Sequence, residues 1–234
     1  MKVLLAHLLT LLTLATAQTI NSTIPANQTF NFGKHYAVLN LDLIDGTVSG
    51  VATTSAGQAF INSTSKWINA VHNQSPKPLI IFTRIYFTTV QKPEIGLETP
   101  FGIAVAPLGN ITETSAVSQI YSAFDVLDTD VVLQKTRYYA GAGNGLEEIL
   151  RAQGIDTVIL SGLRTSGVIL STVYRLFDLD YKIYVISNNT IEVGNDAALI
   201  QSAALNGIIP KLPADVITIE QALAALKRSG PAVW

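Results

Sequence analysis

The chain of 234 residues contains no cysteine, so it can form no disulfide bond, offer no thiolate to a metal ion and use no thiol as a nucleophile. Only 14% of its residues are charged, and its net charge is −2 at pH 7. This balance disfavours nucleic acid and anionic membranes as partners. Its three histidines lack the spacing of paired metal ligands. The sequence therefore predicts no bound metal and no cofactor.

Apolar residues are abundant, at 48% of the chain, which is enough for one well-buried domain. The first residues, "MKVLLAHLLTLLTLATA", combine Lys2 with an apolar run and with small residues at Ala15 and Ala17. This is the order of a secretory signal peptide, and the apolar run is too short to span a bilayer. We expect a signal peptide at residues 1–17, a secreted mature chain from about Gln18, and no membrane association after the signal is removed.

Six Asn-x-Ser/Thr triplets fit a glycoprotein of a eukaryotic secretory route. They begin at Asn21, Asn27, Asn62, Asn73, Asn110 and Asn188. Secreted domains often gain stability from disulfides. Because this chain has none, its stability must come from the apolar core.

Apolar segments rich in Val, Ile and Leu alternate with stretches of helical spacing, which is typical of buried parallel strands connected by helices. The strand-like segments are residues 36–42, 78–87, 130–135, 156–162, 181–187 and 215–219. The sequence predicts a Rossmann-like α/β fold with three layers, in which helices cover both faces of a mostly parallel central sheet.

One domain is predicted at residues 36–228, preceded by an N-terminal arm at 18–35, of which we expect residues 18–32 to be loosely held. Residues 88–129 contain prolines and glycines without a sustained period. We expect this segment to be a long surface excursion in the position of a lid.

Ligands of open parallel sheets bind at the carboxyl ends of the strands. Three polar interruptions fall there: Asp42 ends the first strand, Lys135 ends the third, and the turn at 162–168 ends the fourth. These places are the first candidates for a functional site.

The order of these three places resembles the isochorismatase-like hydrolases, also called the cysteine hydrolase superfamily. "AVLNLDLIDG" stands where that family has a strand ending in its catalytic Asp, and "VLQKTRYYAGAGNGLEEILRAQGIDTVILSGLRTSG" stands where it has its Lys, a helix and the turn before its nucleophile. The resemblance implies that Asp42 and Lys135 are catalytic. In the family a cysteine follows this turn, and Val168 occupies its position here.

Without that thiol, amide hydrolysis through a thioester is excluded at this position. The resemblance still implies a second reaction, the hydrolysis of a vinyl ether, in which Asp42 protonates the enol carbon of a small carboxylated substrate. The backbone N–H groups of Arg164 and Val168 are predicted to bind an anion at the helix start. Lys135 would position anions, but it would also lower the pKa of Asp42, so burial must compensate.

Further residues have two interpretations each. Arg84 could meet a substrate carboxylate or lie on the surface, Tyr138 could wall the pocket or pack in the core, and Ser166 could bind substrate or, with Thr165, cap the helix. Two other functions remain open. One is a catalytically silent member that binds a small molecule or a protein partner, and the other is an amidase with another nucleophile, such as Ser166 or Ser171. A homo-oligomer is also compatible with the sequence.

Overall fold

A computed structural model describes residues 19–234. The predicted signal peptide at 1–17 lies outside the described residues. Within the described part of the chain, no helix has the length and apolarity needed to cross a membrane.

Six strands within residues 19–234 form one sheet in the order β3-β2-β1-β4-β5-β6, and every pairing is parallel. The strands are β1 Tyr36–Leu41, β2 Leu79–Ile85, β3 Val131–Lys135, β4 Thr157–Leu163, β5 Lys182–Ile191 and β6 Asp215–Ile217. β5 runs four residues beyond its predicted end, because its register shifts where Gly162 and Leu163 pair with Thr190 and Ile191.

Helices cover both faces of the sheet. They are α1 Asp45–Val48, α2 Ser55–His72, α3 Pro100–Val105, α4 Leu146–Ala152, α5 Leu170–Phe177, α6 Ala197–Ser202 and α7 Ile219–Arg228. Trp67 of α2 and Leu226 of α7 pack with Val38 on one face. Leu150 of α4 and Val173 of α5 pack with Leu39 on the other face. Successive residues of β1 thus point to opposite cores, and the predicted three-layer α/β fold is confirmed.

The arm that precedes β1 is firmly attached, so the expectation of a loosely held segment is wrong. Ile24 and Phe32 are buried, and the ring of Phe32 contacts the rings of Trp67 and Tyr184. The Thr23 N–H donates to the carbonyl of Val216, a residue of β6, at 2.8 Å. Apolar residues scattered in a polar segment were enough to order it.

The excursion between β2 and β3 has its own small core. Ile95, Val105 and Ile111 are buried against Ile44 and Phe87. The segment includes α3 and two 3₁₀ turns, Ala106–Leu108 and Ala116–Ser118. It lies over the carboxyl end of the sheet, in the predicted position of a lid, but it is a packed element rather than a free surface loop.

Candidate functional site

Asp42 and Lys135 form a buried ion pair at the carboxyl end of the sheet. The Lys135 Nζ lies 2.6 Å from Asp42 Oδ2, and both residues are at most 5% exposed. Asp42 directly follows β1 with a positive φ of 55°, while Lys135 ends β3, two strands away. Between them, the Thr83 hydroxyl of β2 donates to Asp42 Oδ1 at 2.9 Å. The structure thus brings the two predicted residues together across the sheet.

The ammonium group of Lys135 has all three of its N–H donors occupied by described residues. Besides Asp42, it donates to the carbonyls of Arg137 at 2.8 Å and Tyr138 at 3.1 Å. A lysine has three donors and no acceptor, so none remains for a ligand. Lys135 therefore holds Asp42 and the 137–138 turn, and the expectation that it positions substrate anions directly is wrong.

Burial shifts the ionisation of both partners toward their neutral forms. It raises the pKa of Asp42 above its ordinary value, against the opposing effects of Lys135 and the Thr83 hydroxyl. Burial likewise lowers the pKa of Lys135, against the opposing effect of Asp42. For Asp42 the effect of burial is the largest of these, which is the direction that acid chemistry at this carboxyl group requires.

A cavity of about 310 Å³ opens over this pair. Asp42, Tyr138, Arg164 and Val168 line it together, with apolar residues of the excursion such as Leu108 on the opposite side. The Val168 side chain is buried against the sheet and supplies no reactive atom. We call this space the Asp42 cavity. It is mainly apolar, and its polar lining is an acid, an arginine and two hydroxyl groups.

The turn after β4 is a π-helical turn, Thr165–Ile169, which continues into α5. Neither Thr165 nor Ser166 caps it, so that interpretation is wrong: the flanking residue is Arg164, without a side-chain cap. The Thr165 hydroxyl instead donates to Gln201 Oε1 at 2.6 Å. The Ser166 N–H donates to Glu192 Oε2 at 2.7 Å, so a carboxylate of the protein already occupies part of this helix start.

Glu192 also faces the Arg164 side chain, whose Nε lies 3.4 Å from Glu192 Oε1. The Arg164 side chain is 47% exposed and lines the Asp42 cavity. Its guanidinium is thus accessible to a ligand, whereas the ammonium of Lys135 is not. The predicted anion binding by the backbone N–H groups of Arg164 and Val168 remains a prediction.

The other sequence candidates are placed differently. Arg84 is directed away from the Asp42 cavity: it donates to the carbonyls of Ser118 and Glu113, each at 2.6 Å, and so holds the excursion. The exposed Ser166 lies outside the lining of the cavity. The Ser171 hydroxyl donates back to the Gly167 carbonyl at 2.7 Å. Tyr138 lines the cavity, is 40% exposed and packs edge-on against Phe101.

Sequence reasoning missed three residues of this site. Thr83 interrupts an apolar strand next to β1, a signal that was available. Thr47 donates its hydroxyl to the Asp42 carbonyl at 2.7 Å and stabilises the turn that presents the carboxylate. Glu192 lies in a polar stretch without periodicity, and only the extension of β5 carries it to the site.

Residues 19–234 contain no group of three or more His, Asp or Glu side chains arranged to hold a metal ion.

The fold is that of the isochorismatase-like hydrolases. It is similar to an isochorismatase family protein from Burkholderia thailandensis, with a TM-score of 0.70 and 24% identity over 86% of this chain and 100% of that one. It is also similar to a cysteine hydrolase from Pseudomonas syringae, with a TM-score of 0.72 and 18% identity over 83% of this chain and 93% of that one. At these identities the likeness shows the fold alone.

The chain belongs to the isochorismatase family, because residues 36–221 match the isochorismatase domain. Among curated relatives, the ureidoacrylate amidohydrolase RutB of Variovorax paradoxus is 33% identical over 79 residues, 34% of this chain and 31% of that protein. An uncharacterized isochorismatase family protein, YecD of Escherichia coli O157:H7, is 30% identical over 110 residues, 45% of this chain and 54% of that protein. The matched region thus spans about a third to a half of these relatives.

Proposed function

We propose that the protein hydrolyses the vinyl ether of a small carboxylated substrate, with Asp42 as the proton donor. The observation that carries the proposal is the buried Asp42–Lys135 pair, in which burial raises the pKa of a carboxyl group that lines a cavity. A carboxylic acid that keeps its proton near neutral pH is what enol protonation requires.

The reaction consumes one water, and the proton that Asp42 donates is returned to it. Asp42 donates its proton to the methylene carbon of the enol ether, and the C=C electron pair forms the new C–H bond. The adjacent carbon becomes an oxocarbenium ion, to which water adds. The added water loses one proton to the Asp42 carboxylate, which restores the acid. The hemiketal then collapses as its hydroxyl proton passes to the ether oxygen, so that an alcohol and the keto acid pyruvate are released. Lys135 keeps Asp42 in place, and Arg164, the accessible cation, binds the substrate carboxylate.

Amide hydrolysis, the reaction in the name of the RutB relatives, is the weaker assignment. Val168 has no nucleophilic atom, and the Ser171 hydroxyl is bonded within its own helix. The same observations favour a second candidate function, a catalytically silent member that binds a carboxylated small molecule in the Asp42 cavity. In that case the Asp42–Lys135 pair would be structural.

One experiment separates these functions. The purified mature protein is incubated with a mixture of vinyl ethers of pyruvate and small amides, while pyruvate and ammonia are both measured. Pyruvate without ammonia supports the proposal, ammonia alone supports an amidase, and neither product supports the binding function. Asp42→Asn is the matched control, because an amide keeps the shape of the side chain but cannot deliver the proton. We expect it to lower pyruvate release at least 100-fold with little change in KM.

We also propose that the chain is secreted and glycosylated. The exposed positions of all six sequon asparagines support this proposal, since an oligosaccharide must face solvent. Expression of the full chain in a eukaryotic cell should yield protein in the medium that begins near Gln18 and becomes smaller after endoglycosidase treatment. Retention of an uncleaved, unglycosylated chain inside the cell would contradict it.

A further inference from the structure

A second and larger cavity adjoins the Asp42 cavity. It has a volume of about 700 Å³ and lies between the start of α2, the end of β5 and α6. We call it the β5 groove. Gly50 and Val193 line both cavities. Gly50 has no side chain to close the boundary, and a Cβ added there would meet only the Thr47 carbonyl oxygen within 4 Å, at 3.7 Å. The two cavities therefore adjoin at Gly50 and Val193.

Charge is distributed unequally between the two cavities. Arg164 lines the Asp42 cavity, and no lysine or arginine of the described chain lines the β5 groove. The groove contains the carboxylate of Glu192, which is 6% exposed and is fixed by the N–H groups of Ser166 at 2.7 Å and Val193 at 3.0 Å, and which also faces the Arg164 Nε at 3.4 Å. A carboxylate has about four lone-pair sites, so one remains to accept a hydrogen bond from a ligand.

The other walls of the groove are largely apolar and are formed by small residues. Ala59 of α2 and Ala198 of α6 line it, together with the buried ring of Phe60. A ligand group in this space would exchange water for apolar surface and would face the Glu192 carboxylate, which is already paired with Arg164, and no lysine or arginine of the described chain lines the groove to bind an anion. The groove therefore favours an uncharged, partly apolar group and disfavours an anion.

We propose that the ligand has two parts: a carboxylated head that fills the Asp42 cavity, and a larger neutral alcohol portion that lies in the β5 groove. This inference rests on the proposed function for the chemistry of the head, and it adds the size and charge of the leaving alcohol. On hydrolysis, the head leaves as pyruvate from the Asp42 cavity. The alcohol, which keeps the ether oxygen, leaves from the groove.

Binding of saturated ethers tests the inference without requiring turnover, because they lack the double bond that is protonated. The probes are 2-methoxypropanoate, 2-benzyloxypropanoate and 2-(4-carboxybenzyloxy)propanoate, titrated calorimetrically into the mature protein. We expect the benzyl ether to bind at least tenfold more tightly than the methyl ether, and the carboxybenzyl ether at least tenfold more weakly than the benzyl ether. Equal affinities, or no binding of any probe, would overturn the inference.

Variants locate the effect in the groove. Ala198→Phe should weaken binding of the benzyl ether at least tenfold and leave binding of the methyl ether unchanged. Ala59→Phe, on the opposite wall, should have the same effect. Ala203→Phe is the matched control, because Ala203 is exposed, follows α6 directly and lies outside the groove lining. Glu192→Gln should reduce the discrimination against the carboxybenzyl ether. If the two groove variants lose the same affinity for the methyl ether as for the benzyl ether, the placement of the alcohol portion in the β5 groove is contradicted.

Turnover of the corresponding unsaturated ethers separates the two proposals. Pyruvate from 2-methoxyacrylate and 2-benzyloxyacrylate without a benzyl preference would support the proposed function and overturn the two-part ligand. If neither compound yields pyruvate, but the benzyl ether binds more tightly and loses this preference in Ala198→Phe, the two-part ligand is supported and the proposed function is overturned.

Discussion

Replacing Lys135 by Met tests the buried pair directly, because Met keeps much of the volume of the side chain but has no charge and no donor. Three acceptors lose their partner: Asp42 Oδ2 and the carbonyls of Arg137 and Tyr138. Removal of one member of a buried ion pair costs about 3–5 kcal/mol when the remaining charge stays uncompensated. We expect a loss of this size at pH 8.

The loss should depend on pH with a definite sign. In the native protein the pair holds one proton, and in the unfolded chain Lys135 alone holds one. Because the two states bind the same number of protons, the pair makes the free energy of unfolding depend little on pH between pH 5 and 8. In Lys135→Met, the effect of Lys135 that lowers the pKa of Asp42 is gone. The pKa of folded Asp42 then lies further above that of unfolded Asp42 than it does in the native protein. The stability of the variant falls as pH rises between the unfolded and the folded pKa of Asp42, by at most about 1.4 kcal/mol per pH unit.

Urea unfolding, followed by the fluorescence of the buried Trp67, measures this difference at pH 5, 6, 7 and 8. Lys66→Met is the matched control, since Lys66 is exposed on α2 and should change stability by less than about 0.5 kcal/mol. Adding Asp42→Asn to Lys135→Met should remove the pH dependence. If the variant and the native protein differ by the same free energy at pH 5 and at pH 8, the conclusion that burial raises the pKa of Asp42 is refuted.

Three further predictions concern the surroundings of the site. Val168→Cys should lower the free energy of unfolding by less than about 1.5 kcal/mol. Adding Glu192→Gln should speed alkylation of the new thiol, because removal of a nearby negative charge lowers a thiol pKa. An unchanged alkylation rate would contradict the placement of Glu192. Arg84→Ala should release the 113–118 segment, seen as faster limited proteolysis there and nowhere else. Phe32→Ala should destabilise the protein by about 3–5 kcal/mol in urea unfolding, whereas a loss below about 1 kcal/mol would mean that the arm contributes little.

The sheet was predictable because its strands are buried on both faces. Uninterrupted runs such as "YAVLNLD" have few other interpretations, and a polar residue at the end of such a run stands out. Asp42 and Lys135 were found in this way. The two side chains meet across β2, the strand that carries Thr83, because the parallel strand order places the carboxyl ends of β1, β2 and β3 side by side.

The errors have a common physical origin in the local path of the chain. The donors of Lys135 are satisfied by carbonyls two and three residues further along, a consequence of a tight turn that leaves no pattern in the sequence. The capping interpretation of Thr165 assumed an ordinary α-helix start. The π-helical turn instead directs its hydroxyl toward Gln201, which is remote in sequence. Side-chain partners of this kind are set by tertiary contacts.

The strand order also has a consequence for how this protein is made. The arm residue Thr23 bonds to Val216, 193 positions later in the chain, and β1 lies between β2 and the much later β4. A chain that emerges from the ribosome at about 5–20 residues per second must keep its first strand without its second neighbour for many seconds. Contacts of such long range slow folding. Asp42 therefore reaches its buried environment late in synthesis, and until then an apolar strand is available to chaperones and to aggregation.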